Sequence, residues 1–193
     1  PVLTDRAGTP LSLLPEFAEH PDAMFMLWKD HTAVAESDEI NALAKRWKID
    51  YTRYSGGSYS CEWVWSKMLH ALRHAPALRG TACSWGEHCG WITGLLTGNT
   101  HPEPMARSRG VAGHKAMWHE AWGGLPSAEF FEAVDPLYRL FRGHLYTRTV
   151  TADECVGHLT REWADRLGLE AGIAVGVGAL ACHLGAGGAG HRP

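Results

Sequence analysis

Hydrophobic residues recur along this chain with a helical period in several places. Between 32 and 47, Ile40, Leu43, Ala44 and Trp47 follow the i, i+3, i+4, i+7 spacing of one helix face, and Thr32 stands where a capping hydroxyl belongs. From 61 to 74, Cys61, Val64, Trp65, Met68 and Leu72 form an apolar stripe behind Ser60, and Pro76 interrupts it. Ser84 and Glu87 have the spacing of a capping box, which predicts a helix over 85–96 ending at Gly98. Gly86, Gly90 and Gly94 weaken that helix by about 1 kcal/mol each relative to alanine. Ser127 and Thr160 cap shorter helices through 134 and 167, and Pro136 opens another. Strand signals are briefer. The continuous apolar run 23–28 reads as a buried strand, 145–150 alternates, and 5–10 reads as a hairpin turn between short strands. The segment 172–190 reads as strand, glycine turn and small-residue helix. The expected class is α/β, with helices packed on a small mixed sheet.

Size and charge narrow the function classes. The 193 residues suit one domain, with 45% apolar and 20% charged residues. A net charge of −3 without a basic run argues against nucleic acid as a partner, and the apolar runs fall well short of the ~20 residues of a membrane span. Five cysteines without CxxC pairing read as reduced thiols in a cytoplasmic setting. The start at Pro1, without an initiator methionine, reads as the middle of something longer.

The unusual chemistry is concentrated in 113–126. Two histidines, a lysine, a glutamate and two tryptophans crowd into Gly113-His114-Lys115-Ala116-Met117-Trp118-His119-Glu120-Ala121-Trp122. On a helix, Lys115, Trp118, His119 and Trp122 would share a face; on a strand, Lys115, Met117 and His119 would. An ammonium beside aromatic rings suits a polyhydroxylated ligand, with donors for hydroxyls and a ring for the C–H face. The plainer alternative is a lysine whose stem lies on a tryptophan while its charge stays in water. The cluster Trp28-Lys29-Asp30-His31 follows an apolar run, a place where α/β folds put ligands, although a surface ion-pair cluster fits equally. His114 and His119 are five apart, unlike a metal-binding HExxH pair, and no protein-built zinc site is expected.

Several of these motifs resemble the bacterial ribulokinases, of the FGGY carbohydrate kinase family. They are Met24-Phe25-Met26-Leu27-Trp28-Lys29-Asp30-His31-Thr32-Ala33, Gly56-Gly57-Ser58-Tyr59-Ser60 with Glu62-Trp63, and Ala112-Gly113-His114-Lys115-Ala116-Met117-Trp118-His119-Glu120 running on through Ala121-Trp122-Gly123-Gly124-Leu125-Pro126. The resemblance runs over nearly the whole chain in unbroken order. It implies an actin-like ATPase (ribonuclease H-like) fold, in which this chain is a partial domain, 1–193, from the later part of the family's first domain. It implies phosphorylation of L-ribulose at its 5-hydroxyl with ATP and Mg, and a small-molecule ketopentose as partner. The phosphate loop and the nucleotide-binding second domain of the family match nothing here. Carried over by position, Lys115 contacts the sugar and Trp28 lines its pocket.

One carry-over fails. The family's catalytic aspartate, which takes the proton from the attacking hydroxyl, lies in a Gly-Ala-Phe-Asp-Cys-His-like turn, and this chain reads Gly178-Ala179-Leu180-Ala181-Cys182-His183. Ala181 occupies the base position, so no catalytic residue is intact and the chain alone is expected to be inactive, binding neither ATP nor Mg tightly. Gly90 stands where an aspartate is usual, and Gly110 where a cysteine or similar residue is. An alternative reading is a non-catalytic, sugar-binding or structural remnant of a degenerate kinase. Strands cut from their partners would leave an exposed edge, with homo-oligomer formation as the consequence.

Overall fold

The two strongest apolar stripes become the central helices, α1 (Val34–Ala44) and α2 (Val64–His74), which pack against each other. In this computed structural model, which describes residues 1–190, α2 is the most deeply buried helix. Its apolar face carries Val64, Trp65, Met68, Leu69 and Leu72 into a core shared with Ile40 and Leu43 of α1, and with Phe130 and Phe131 of α5 (Ala128–Val134). Around Trp65 the core is aromatic. Phe131 lies 4.0 Å from it between ring centroids, Trp85 5.2 Å and Tyr138 5.9 Å, the last two edge-on as ring quadrupoles prefer.

The remaining elements are short. Strand β1 (Val2–Thr4) pairs antiparallel with β2 (Ser84–Gly86), in the register Leu3 opposite Trp85. Helix α3 (His88–Thr97) follows β2 directly and ends at Gly98, whose φ of 72° is the left-handed cap. Strand β3 (Arg107–Ser108) leads into α4 (Arg109–Ala116) and pairs in parallel with β4 (Thr149–Val150). The pair β5 (Cys155–His158) and β6 (Ala174–Gly176) encloses α6 (Arg161–Leu167), and α7 (Ala181–Gly188) closes the described chain. The class is mixed α/β as expected, but the strands form three separate two-stranded pairs, not one small sheet.

Several sequence expectations are corrected. Residues 23–28 are not a strand: a 3-10 turn, Pro21–Ala23, leads into an irregular loop, and Leu27 and Trp28 point to solvent. The loop is held by an ion instead of a ladder. Lys67 of α2, 1% exposed, donates from Nζ to the carbonyls of Leu27 (2.9 Å) and Asp30 (2.6 Å). The helix expected from 85 starts at His88, because Ser84–Gly86 are drawn into pairing with β1. Thr32 does not cap α1; its hydroxyl bonds the Asp30 carboxylate at 2.7 Å. Cys61 lies outside α2, which starts at Val64, and 145–150 is a strand only at its last two residues. The caps at Ser127 and Thr160 form as read, each hydroxyl accepting from the backbone N–H three residues on.

Candidate functional site

Lys115 sits one residue before the end of α4, and what stops the helix decides what surrounds the lysine. Met117 adopts φ 57°, ψ 29°, left-handed for a non-glycine residue, and its N–H caps back to Ala112 O. The chain then reverses, and His119 pairs with Gly124 across a 3-10 turn, Glu120–Trp122. The shared helix face expected for Lys115, Trp118, His119 and Trp122 therefore does not form. His119 stacks on Tyr54 at 3.8 Å, Trp122 packs on Tyr51 and Tyr54, and the cation over Trp118 is Arg109.

A buried hydrogen-bond network anchors this helix end to the core. Tyr59 donates its hydroxyl to Lys115 O at 2.6 Å and accepts from Trp65 N at 2.9 Å. Trp65 Nε1 donates to Ala116 O at 2.9 Å, and the Tyr138 hydroxyl donates to Trp65 O at 2.8 Å. Burial pushes the Tyr59 and Tyr138 phenols well above their ordinary range, so both stay neutral donors.

With its backbone held there, the Lys115 side chain lines a cleft of about 380 Å³ together with Trp28, Glu62, Trp63, His114, Leu180, Ala181 and Cys182. The volume lies in the range of small-molecule sites. Three distant stretches meet in it. Trp28 arrives on the loop that Lys67 holds, Glu62 and Trp63 precede α2, and Leu180 to Cys182 start α7. The Lys115 ammonium is 3.7 Å from Glu87 Oε2 on the inner side, and Glu62 is bonded to His31 at 2.9 Å. Trp63 meets the His114 ring edge-on at 5.0 Å, and His114 in turn meets His183 at 5.5 Å. Partial burial, with the neighbouring His183 and Lys115, holds the His114 imidazole below its ordinary range, which favours the neutral ring.

Ala181, the first residue of α7, brings only a methyl group to the cleft. The lining does not fit a magnesium site: it offers one carboxylate, Glu62, which is bonded to His31, and not the oxygen-rich shell magnesium takes. Trp28 and Lys115, the two residues that the resemblance places at a sugar, line one cleft. Trp63, Glu62 and His114 had been given no role. Their signal lay in the Glu62-Trp63 pair and in the residue beside Lys115.

The chain is similar in sequence to several curated proteins. A ribulokinase of Vibrio parahaemolyticus is 48% identical over 191 residues, 98% of this chain and 34% of that protein. The chain matches a segment of the ribulokinases. Ribulokinases of Shouchella clausii and Geobacillus thermodenitrificans are 36% and 37% identical over 181 residues, 93% of this chain and 31% of each of them. The chain therefore spans about a third of the length of the curated ribulokinases it matches. A solved xyloylose kinase from Brucella ovis superposes with a TM-score of 0.59 at 18% identity, covering 79% of this chain and 28% of that one, so the chain shares the fold of part of that structure. No protein-family model matches the chain.

Proposed function

We propose that this chain is the sugar-binding part of a carbohydrate kinase of ribulokinase type, from the later portion of the first domain, and that its ligand is a ketopentose, L-ribulose by resemblance. The observation that carries the reading is the meeting of Trp28 and Lys115 in one cleft with the 180–182 turn. In it the Trp28 ring offers a platform for the sugar C–H face and the Lys115 ammonium donates to a hydroxyl. Phosphoryl transfer from ATP with Mg belongs to the full-length family. When bound in the full-length proteins, those groups would supply the phosphoryl donor and its charge neutralisation.

Ala181 argues against turnover by the chain as it stands. A methyl group cannot accept the proton of the attacking hydroxyl, and loss of a positioned base typically costs about 10²–10⁴ in rate. Ribulose-dependent release of ADP by this chain alone would refute that part of the proposal. Binding is tested by thermal shift with L-ribulose, alongside D-ribulose and L-arabinose. A ligand at ~100 times its dissociation constant stabilises by about 2.7 kcal/mol. The expected result is a ribulose-selective rise in Tm that Lys115→Ala abolishes. No rise with any sugar would overturn the binding reading and favour the alternative, a structural remnant without a ligand of its own.

A further inference from the structure

On the α1–α2 surface, outside the sugar cleft, three side chains converge that the kinase reading does not use. His70 and His74 lie one turn apart on α2, with rings stacked at 4.0 Å and 28°. Glu36, in the first turn of α1, is buried at 3% exposure and places Oε2 3.2 Å from His70 Nδ1. One ligand-capable atom from each of the three lies within 4.8 Å of the other two. We propose that Glu36, His70 and His74 form a binding site for a divalent transition-metal ion, with zinc the best match.

The chemistry of the donors supports this. Two imidazoles and a carboxylate suit zinc and its neighbours in the first transition row, not magnesium or calcium, which prefer all-oxygen shells. In a tetrahedral zinc site with bonds of about 2.0–2.1 Å, neighbouring ligand atoms stand roughly 3.3 Å apart, so the Glu36–His70 edge is already at the required length. The His74 ligand atom already lies within 4.8 Å of the other two, so a small adjustment of that exposed side chain closes the remaining edges. One orienting contact is present. His74 Nδ1 is 2.9 Å from His70 O, and donation of its N–H there leaves Nε2 as the lone-pair donor. His70 in its Nε2–H tautomer presents Nδ1 beside Glu36 Oε2, so the ion sits where a hydrogen bond now lies.

The local charge points the same way. Glu36, Glu39 and Asp135 surround the single guanidinium of Arg73, at 3.6, 2.8 and 2.9 Å. Three carboxylates about one cation leave an excess of two negative charges, which a divalent ion would cancel. Three protein ligands leave a fourth position for water, as in open zinc sites.

The test is zinc titration of the chain, followed by competition with a chromogenic chelator, with cobalt(II) as a spectroscopic substitute. The expected result is one saturable zinc equivalent and a tetrahedral cobalt absorption band. His74→Gln should weaken uptake at least tenfold without moving the metal-free Tm, because His74 is exposed. Glu36→Gln should weaken it as well and gives a second reading that does not depend on His74. No saturable uptake, or uptake of unchanged affinity in both variants, would overturn the proposal, the latter because the ion would then lie on other histidines or on the exposed thiols of Cys155 and Cys182.

Discussion

Among single residues, Arg107 is the least balanced group in the core. The residue is 5% exposed and its guanidinium lies over the Trp85 and Tyr146 rings at 5.7 and 5.1 Å, while Nε and Nη1 have no hydrogen-bond partner. Burial holds its pKa below the ordinary arginine range. A Cβ on Gly90 would lie 3.6 Å from Nη1, in ordinary contact, so the space in front of the orphaned nitrogens admits a carboxylate. Gly90→Asp is therefore expected to stabilise the fold by about 1.5–3 kcal/mol, the range for hydrogen bonds to charged groups, and by more than Gly90→Ala, which adds only helix propensity. Thermal denaturation of the three proteins checks the order. The position is also the one at which the family resemblance expects an aspartate.

Asp30 sets an acid limit at the same scale. Burial alone would raise its pKa, but hydrogen bonds from Thr32 and the charge of Lys67 outweigh that and hold it below the ordinary carboxylate value. A carboxyl with a depressed folded pKa contributes stability above its unfolded value and loses it as pH falls. The contribution should be present above pH ~4 and vanish progressively below it. Urea midpoints near neutral pH and in acid should converge between the wild-type chain and Asp30→Asn as the pH drops.

Within the elements, α3 makes the clearest separate case. Its glycines looked alike in the sequence, yet they differ in space. A Cβ at Gly90 meets nothing closer than 3.6 Å, whereas one at Gly94 would stand 2.6 Å from Asn99 O and from Met105 Sδ. Gly94→Ala is expected to destabilise by about 1–3 kcal/mol through overpacking, while Gly90→Ala stabilises by up to about 1 kcal/mol. Opposite shifts in Tm from the same substitution four residues apart would confirm the close approach of 99–105.

The helix end at Ala116 rests on Tyr59. Tyr59→Phe removes the donor to Lys115 O and leaves Trp65 N without an acceptor. The expected loss is about 1–3 kcal/mol for the buried group left unpaired. If the cleft binds a sugar through Lys115, the same variant should also lower the ligand-dependent thermal shift.

For the whole molecule, burial is uneven. The core of α1, α2, α5 and the aromatic cluster lies within the first three quarters of the chain, while α7 buries none of its residues and Leu167, Leu169, Ile173 and Leu184 are exposed. Amide exchange should therefore be slowest in α2 and close to unprotected in α7, since local opening follows buried contact. The β5–β6 pair, which carries exposed residues, has no third strand, and with this apolar surface concentration-dependent association in sedimentation is the expected result. No helix among the described residues is long and apolar enough to cross a membrane.

Local code by itself determined the helices with a continuous apolar stripe, α1 and α2, those with explicit caps, α5 and α6 through Ser127 and Thr160, and the end of α3 through Gly98. These depend on interactions within a few residues, which the order of side chains specifies directly. Family likeness, also legible in the sequence, put Trp28, Lys115 and Ala181 in one functional context. The tertiary structure decided the rest, because the partners are far away in sequence. The run 23–28 is apolar enough for a strand, but Lys67, some forty residues on, takes its carbonyls. Ser84 to Gly86 carry a capping signal, but β1 offers a ladder. Lys115 faces the Trp28 cleft and not Trp118 or Trp122, because Met117 breaks the helix and Tyr59 fixes the break. The Glu36–His70–His74 trio falls to neither level alone: the histidine pair has a helical spacing of four, but the carboxylate comes from a different helix and joins it only through packing.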